Sequence, residues 1–357
     1  MACQFLAVVT AINPAVTTDS AYISSENQKL FISAGVVSGE NFRSTQFISL
    51  DLSVPWNSDA PAWKSLAPHP DEPNPYMALN KDNTKIFSVG GSVHQYDIQT
   101  DTWKLDGPKD RFLGSGLFSR GAVTDTDTGL IYGVGNSLNL NRTKQMIEFN
   151  PIDSTYNKIN TTGSRPKLED LVSLVYSSPA KKIYMYEWLG DGNQTALLTF
   201  GVGSQSWAEV NTTGDVPPHR YFPCFTSAYD GKKLILAGGI IQTPTSYKSM
   251  DDIYMFDVTT ATWTKLANLP KAYSGASCAA SGDSFIIWGG RVILGVLEDQ
   301  MKFIEGGPSV LDMQKNQWGT SYTPSSPTDS PNSSGTGASV VAAILAIVTV
   351  VSSVMVL

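Results

Sequence analysis

Residues 233–266 hold Lys233-Leu-Ile-Leu-Ala-Gly238-Gly239, then Ile253-Tyr-Met-Phe-Asp257, then Thr262-Trp263-Thr-Lys-Leu266. An apolar run ending on paired glycine, a second ending on an acid and a third carrying a Trp describe short strands joined by turns. The order recurs. Lys85-Ile-Phe-Ser-Val-Gly90-Gly91 leads to Val93-His-Gln-Tyr-Asp97 and Trp103, and Ser284-Phe-Ile-Ile-Trp-Gly289-Gly290 leads to Val310-Leu-Asp312 and Trp318. Weaker copies start at Lys29, Leu130 and Lys182 and close on Trp63, Tyr156 and Trp207. The closing aromatics thus recur roughly every fifty residues, the period of a repeat architecture. An apolar stretch precedes each copy, at 21–24, 76–79, 121–124, 174–176, 224–227 and 277–280, so each unit reads as four strands.

A four-stranded unit cannot bury both faces alone, but six set radially bury them against one another. The expectation is an all-β chain with a six-bladed β-propeller over residues 13–320, seven blades being the alternative. Each repeated residue type has a physical reason. The glycine pair marks crowding or a positive φ, the strand-ending Asp can accept hydrogen bonds from turn amides, and the Trp fills the space between blades. With Gly-Gly, Tyr-Asp and Trp in that order, the chain resembles the kelch-repeat family. In particular it is similar to the secreted fungal kelch proteins grouped with the galactose oxidase central domain. That resemblance implies a propeller, and it raises a copper-radical oxidase as one activity to test against the residues.

The ends are unlike the middle. Residues 338–357 (ASVVAAILAIVTVVSSVMVL) are apolar and uncharged, long enough at helical rise to span a bilayer core. Residues 321–337 are rich in Ser, Thr and Pro, and read as a disordered stalk. Small residues, a polar spacer and an apolar tail compose a GPI-attachment signal, with Ser330, Asn332 and Ser333 as attachment candidates; a membrane-spanning helix is the alternative. Residues 1–12 read either as the remnant of a signal peptide or as a strand that closes the propeller. Five N-x-S/T sequons, at Asn141, Asn160, Asn193, Asn211 and Asn332, agree with passage through the secretory pathway to the cell surface.

Of 357 residues only 16% are charged, and the net charge is −7 with no basic block, so nucleic acid is not an expected partner. Three His and three Cys leave little material for metal or nucleophile chemistry. A copper-radical oxidase needs two His and two Tyr ligands, and His69, His94 and His219 do not show the required spacing. Cys224 and Cys278 fall in the first strands of adjacent repeats; they are either two buried small side chains or a bridge between blades in an oxidising compartment. Asp125-Thr-Asp127 and Asp251-Asp252 read as solvated turn carboxylates. No catalytic residue, metal or cofactor is expected.

What remains is recognition by loops, which on a rigid disc gather at the rims. Trp56, Arg111, Arg120, Arg165, Arg220 and Tyr247 are the candidate ligand-binding residues, since aromatics and Arg dominate contact hot spots. The four arginines precede first strands and are expected to face an anionic group at the axial mouth. The function expected is non-catalytic binding of an extracellular protein or glycan at the cell surface. A galactose-oxidase-like enzyme is the alternative.

Overall fold

The computed structural model describes residues 12–25, 28–37, 44–70, 76–89, 93–106, 121–136, 144–162, 173–186, 196–243, 246–293 and 301–325. These form six antiparallel blades, each of four strands taken in sequence order. Blade 1 comprises Ala21–Ser25, Lys29–Ser33, Phe47–Asp51 and Trp63–Ser65; blade 2 comprises Tyr76–Leu79, Lys85–Val89, Val93–Asp97 and Thr102–Leu105. Ala122–Thr124, Ile131–Asn136, Lys144–Asn150 and Thr155–Lys158 make blade 3, and Ser173–Ser177, Lys182–Tyr186, Ala196–Gly201 and Ser206–Asn211 make blade 4. Blade 5 contains Cys224–Ala228, Lys233–Ala237, Ile253–Asp257 and Thr262–Lys265, and blade 6 Ser277–Ser281, Ser284–Trp288, Ser309–Asp312 and Gln317–Gly319. Each first strand neighbours the first strands of the blades on either side, and the series returns from blade 6 to blade 1. The ring is closed with six blades, not seven.

The core follows from the same geometry. Six apolar clusters fill the six seams between neighbouring blades. In Ser284–Trp288, Phe285 and Ile287 face blade 5 while Ile286 and Trp288 face blade 1. Strands buried on both faces read as unbroken apolar runs, which is why these second strands show no alternation in sequence.

The repeated residues do what their chemistry suggests. Asp97 Oδ1 accepts from the amides of Gln99 and Thr100, Asp257 Oδ1 from those of Thr259 and Thr260, and Asp312 Oδ1 from Lys315. Four residues beyond each third-strand end, Asp101, Ser154, Gln205, Ala261 and Asn316 take positive φ, so blades 2–6 share one turn. The tryptophans also join blades. Trp103 Nε1 donates to Ala67 O at 3.0 Å and Trp318 Nε1 to Ala267 O at 3.3 Å, each across to the preceding blade. At the same two places Asp101 and Asn316 accept from the Ala67 and Ala267 amides.

The glycine pairs are required for two reasons. Gly238, Gly239, Gly289 and Gly290 all have positive φ, and a Cβ on Gly289 would lie 2.6 Å from Thr17 O. That crowding comes from the segment entering the next blade. Gly90 and Gly91 lie outside the described residues.

Closure involves no strand shared between the two ends within one blade, among the described residues. The segment entering blade 1 repeats the one entering blade 6. Gly239 N donates to Tyr273 O at 2.6 Å, and Gly290 N donates to Thr17 O at 2.8 Å. Phe222, Gly275 and Asp19 all have positive φ, and Gly275 N donates to Phe222 O as Asp19 N donates to Gly275 O. Beyond blade 6, Ser321–Tyr322 pairs antiparallel with Trp56–Asn57 of the blade 1 loop. The folded region therefore extends past the boundary expected at 320. Residues 1–11, the stalk beyond 325, the tail and the lipid-attachment candidates Ser330, Asn332 and Ser333 lie outside the described residues.

Candidate functional site

The first strands of all six blades, with their flanking turns, enclose an axial cavity of about 340 Å³. Its wall mixes apolar side chains with hydroxyl and amide groups, among them Ser24, Asn80, Asn83, Thr126 and Ser227. Three charged residues line this wall, Asp19, Lys81 and Asp230. Asp19 pairs with Arg291 at 3.2 Å, and Lys81 Nζ donates to Asp127 O at 2.7 Å.

Tyr22, in the first strand of blade 1, reaches past blade 6 to blade 5. Its hydroxyl accepts from Phe225 N at 3.2 Å, and burial pushes its pKa up to about 12. Beside it, 3.9 Å from the Tyr22 oxygen, lies the sulfur of Cys278, which forms a disulfide with Cys224. The Cα atoms are 6.2 Å apart, within the range a bridge requires. Of the two readings left open by the sequence, the structure has the bridge, joining the first strands of blades 5 and 6.

Several expected site residues are placed differently from the sequence reading. Arg220 is 1% exposed and does not face the axial mouth. Its guanidinium is bidentate to Asp252, with Nη2 to Oδ2 at 3.0 Å, and it also donates to Pro218 O and Gly238 O. Tyr254 contributes both a 3.0 Å hydrogen bond to Asp252 and a ring face to Arg220. Burial alone would raise the Asp252 pKa, but the bonds and charge of Arg220 bring it below the usual carboxylate range. A charge this deep persists only when paired and fully bonded, so Arg220 is a structural cation. Asp252 is accordingly not a solvated turn residue, and neither is Asp125. The Asp125 carboxylate is buried and accepts from Tyr176 Oη at 2.7 Å, Thr128 Oγ1 at 2.8 Å and Asp127 N at 3.0 Å.

Trp56 is also withdrawn from the surface. It is 6% exposed and stacked on Tyr322 with ring centroids 5.0 Å apart, and its indole donates to Asp51 O. Tyr247 does stand out, 40% exposed on a hairpin formed by Ile240–Gln242 and Tyr247–Ser249. Arg111, Arg120 and Arg165 lie outside the described residues, as do Asn141, Asn193 and Asn332. Asn160 and Asn211 are both exposed.

Of the three imidazoles, that of His69 is engaged within the protein. His69 Nδ1 donates to Pro70 O at 2.5 Å and its Nε2 accepts from Ser88 Oγ at 2.8 Å, so both ring nitrogens are engaged. Burial lowers its pKa to about 4. His94 lies in the third strand of blade 2 and His219 in the segment entering blade 5. Among the described residues, no group of three or more His, Cys, Asp or Glu converges as metal ligands would.

Residues 180–353 match the family described as the KLHDC2/KLHL20/DRC7 Kelch-repeats domain. Over blades 5 and 6 and most of blade 4, the propeller matches kelch repeats. A solved structure titled "Structure of YjhT" superposes with a TM-score of 0.56 at 14% identity, covering 82% of this chain and 99% of that one. At that identity the likeness of the propeller to the YjhT structure concerns the fold alone. No curated protein matches the sequence.

Proposed function

We propose that this propeller is a non-catalytic binding module displayed at the cell surface, its ligand held by the rim loops over the axial cavity. The observation that carries this reading is the cavity itself. It offers hydroxyl and amide groups, while Asp19 and Lys81 at its wall are already bonded within the protein. Such a wall suits a neutral, hydroxyl-rich ligand such as the end of a glycan, because its hydroxyl and amide groups supply donors and acceptors that match sugar hydroxyls. The Cys224–Cys278 bridge supports an oxidising compartment. The Ser/Thr/Pro stalk and apolar tail support tethering by a GPI lipid or a membrane helix.

The test is an array of neutral oligosaccharides probed with the full chain purified from a secretory host. Retention of a subset is expected, weakened at least tenfold by Ser227→Trp, which places bulk at the cavity wall. Equal retention by this variant would remove the cavity from the reading. Copper-dependent release of hydrogen peroxide from an alcohol would replace it with the oxidase alternative.

A further inference from the structure

Two of the sequons are the same three residues in the same place. Asn160-Thr-Thr162 leaves blade 3, and Asn211-Thr-Thr213 leaves blade 4. In each, the second Thr adds to the outer strand of the next blade in parallel, one residue before that blade's Trp. Thr162 bridges Ser206 ahead of Trp207, and Thr213 pairs with Thr262 ahead of Trp263. Backbone bonds fix both junctions. Trp207 N donates to Thr162 O at 3.0 Å, and Thr213 N donates to Ala261 O at 3.0 Å.

This extended geometry sets the side-chain directions, since alternate residues of an extended chain point to opposite faces. Asn160 and Thr162 are exposed while Thr161 between them is half-buried; Asn211 and Thr213 are exposed while Thr212 is buried. Asparagine and the hydroxyl two residues on thus share the outward face at both junctions. The fourth strands of blades 3 and 4 are the outermost strands of their sheets, so these asparagines stand at the circumference, by strand edges that can recruit foreign strands.

From this pair of junctions we infer that Asn160 and Asn211 carry N-linked glycans, and that the glycans mask the outer edges of the propeller at the seams between blades 3 and 4 and between blades 4 and 5. The donor is an oligosaccharide linked to a lipid pyrophosphate. Asn Nδ2 forms a bond to the anomeric carbon, the bond from that carbon to the phosphate oxygen breaks, the lipid pyrophosphate leaves with the electron pair, and the amide proton passes to solvent. A glycan attached here projects away from every blade and disturbs no seam.

The inference rests on the secretory reading above, and the experiment separates the two. The full chain from a secretory eukaryotic host is treated with peptide-N-glycosidase in heavy-oxygen water, and its peptides are mapped by mass spectrometry. Labelled Asp at positions 160 and 211 is expected, and Thr162→Ala with Thr213→Ala should abolish both labels while leaving the asparagines in place. Label at Asn141 or Asn193 without label at 160 and 211 would overturn this inference and spare the secretory reading. A chain with no label anywhere would overturn both. For the masking role, the Asn160→Gln/Asn211→Gln variant should self-associate in sedimentation at a concentration where the glycosylated chain is monomeric; identical sedimentation would overturn that role.

Discussion

The seam between blades 5 and 6 and the seam between blades 6 and 1 are built to one plan but secured differently. Both receive the incoming chain on the second glycine of a pair, through Gly239 and Gly290. Both are packed by residues of second and third strands, and each has a first-strand contact near the axis. Between blades 5 and 6 the polypeptide is continuous, and the Cys224–Cys278 disulfide adds a second covalent link. Between blades 6 and 1 the described structure has no covalent link. Its place is taken by the Asp19–Arg291 ion pair, the Ser321–Tyr322 pairing with Trp56–Asn57, and Ser58, whose hydroxyl donates to Pro308 O at 2.6 Å. Where a ring lacks chain connectivity, many small non-covalent contacts have to hold the ends together.

The largest expected effect is on the covalent seam. Replacing both cysteines by Ala, Cys224→Ala with Cys278→Ala, frees a loop of 54 residues in the unfolded chain. Loop-closure entropy places the loss at about 4 kcal/mol, to be read from urea unfolding. A loss near zero would mean the two seams are equally self-sufficient.

Next comes the non-covalent seam. Tyr322 is almost fully buried, stacks on Trp56, donates to Leu52 O at 2.8 Å and is 2.8 Å from Ser281 Oγ. Tyr322→Ala removes a ring that spans blades 1 and 6, and should cost about 3 kcal/mol. Hydrogen exchange should rise first in Trp56–Asn57 and the fourth strand of blade 6. A uniform rise would show that closure is not local to this seam.

The third test uses a seam with neither a bridge nor chain ends. His69 lies between blades 1 and 2, with its ring against Trp103 at 4.7 Å. Burial holds its pKa at about 4, against 6.5 when unfolded. Between those values the unfolded chain binds more protons, so this group's contribution is fully present above pH 6.5 and is lost as pH falls toward 4. The loss amounts to roughly 3 kcal/mol by pH 4, from about 1.4 kcal/mol for each unit of pKa difference. His69→Gln should flatten stability across that window. An unchanged slope would place the acid sensitivity in another seam.

The blades were legible because their signals are local and repeated. Apolar runs such as Leu30–Ile32 and Leu234–Leu236 must be apolar at every position, since successive side chains enter different seams. The turn acids Asp97 and Asp257 bond amides two and three residues on, which a sequence window contains. The closure was not legible. Thr17–Thr18 and Ser321–Tyr322 are too short to show any period, and the residues that secure them lie far away in the chain. Trp56 in a Pro-containing loop reads as a surface anchor until Tyr322 is placed on it. Arg220 reads as a rim cation for a similar reason, because Asp252 is 32 residues distant in another loop. The cavity at the axis was anticipated only as a mouth. Its wall comes from turns and first strands of six separate repeats, which no single stretch of sequence displays together.

The pairing of Ser321–Tyr322 with blade 1 also determines where mechanical load enters. The chain leaves blade 6 at Gly319, crosses to Trp56–Asn57, and only then continues toward the C-terminus. A pull applied from that end reaches Tyr322 before it reaches the blade 6 sheet, and the antiparallel clip passes it into blade 1. The clip thus acts as a strain relief, keeping tension off the outer strand of the last blade until Tyr322 is drawn from its socket.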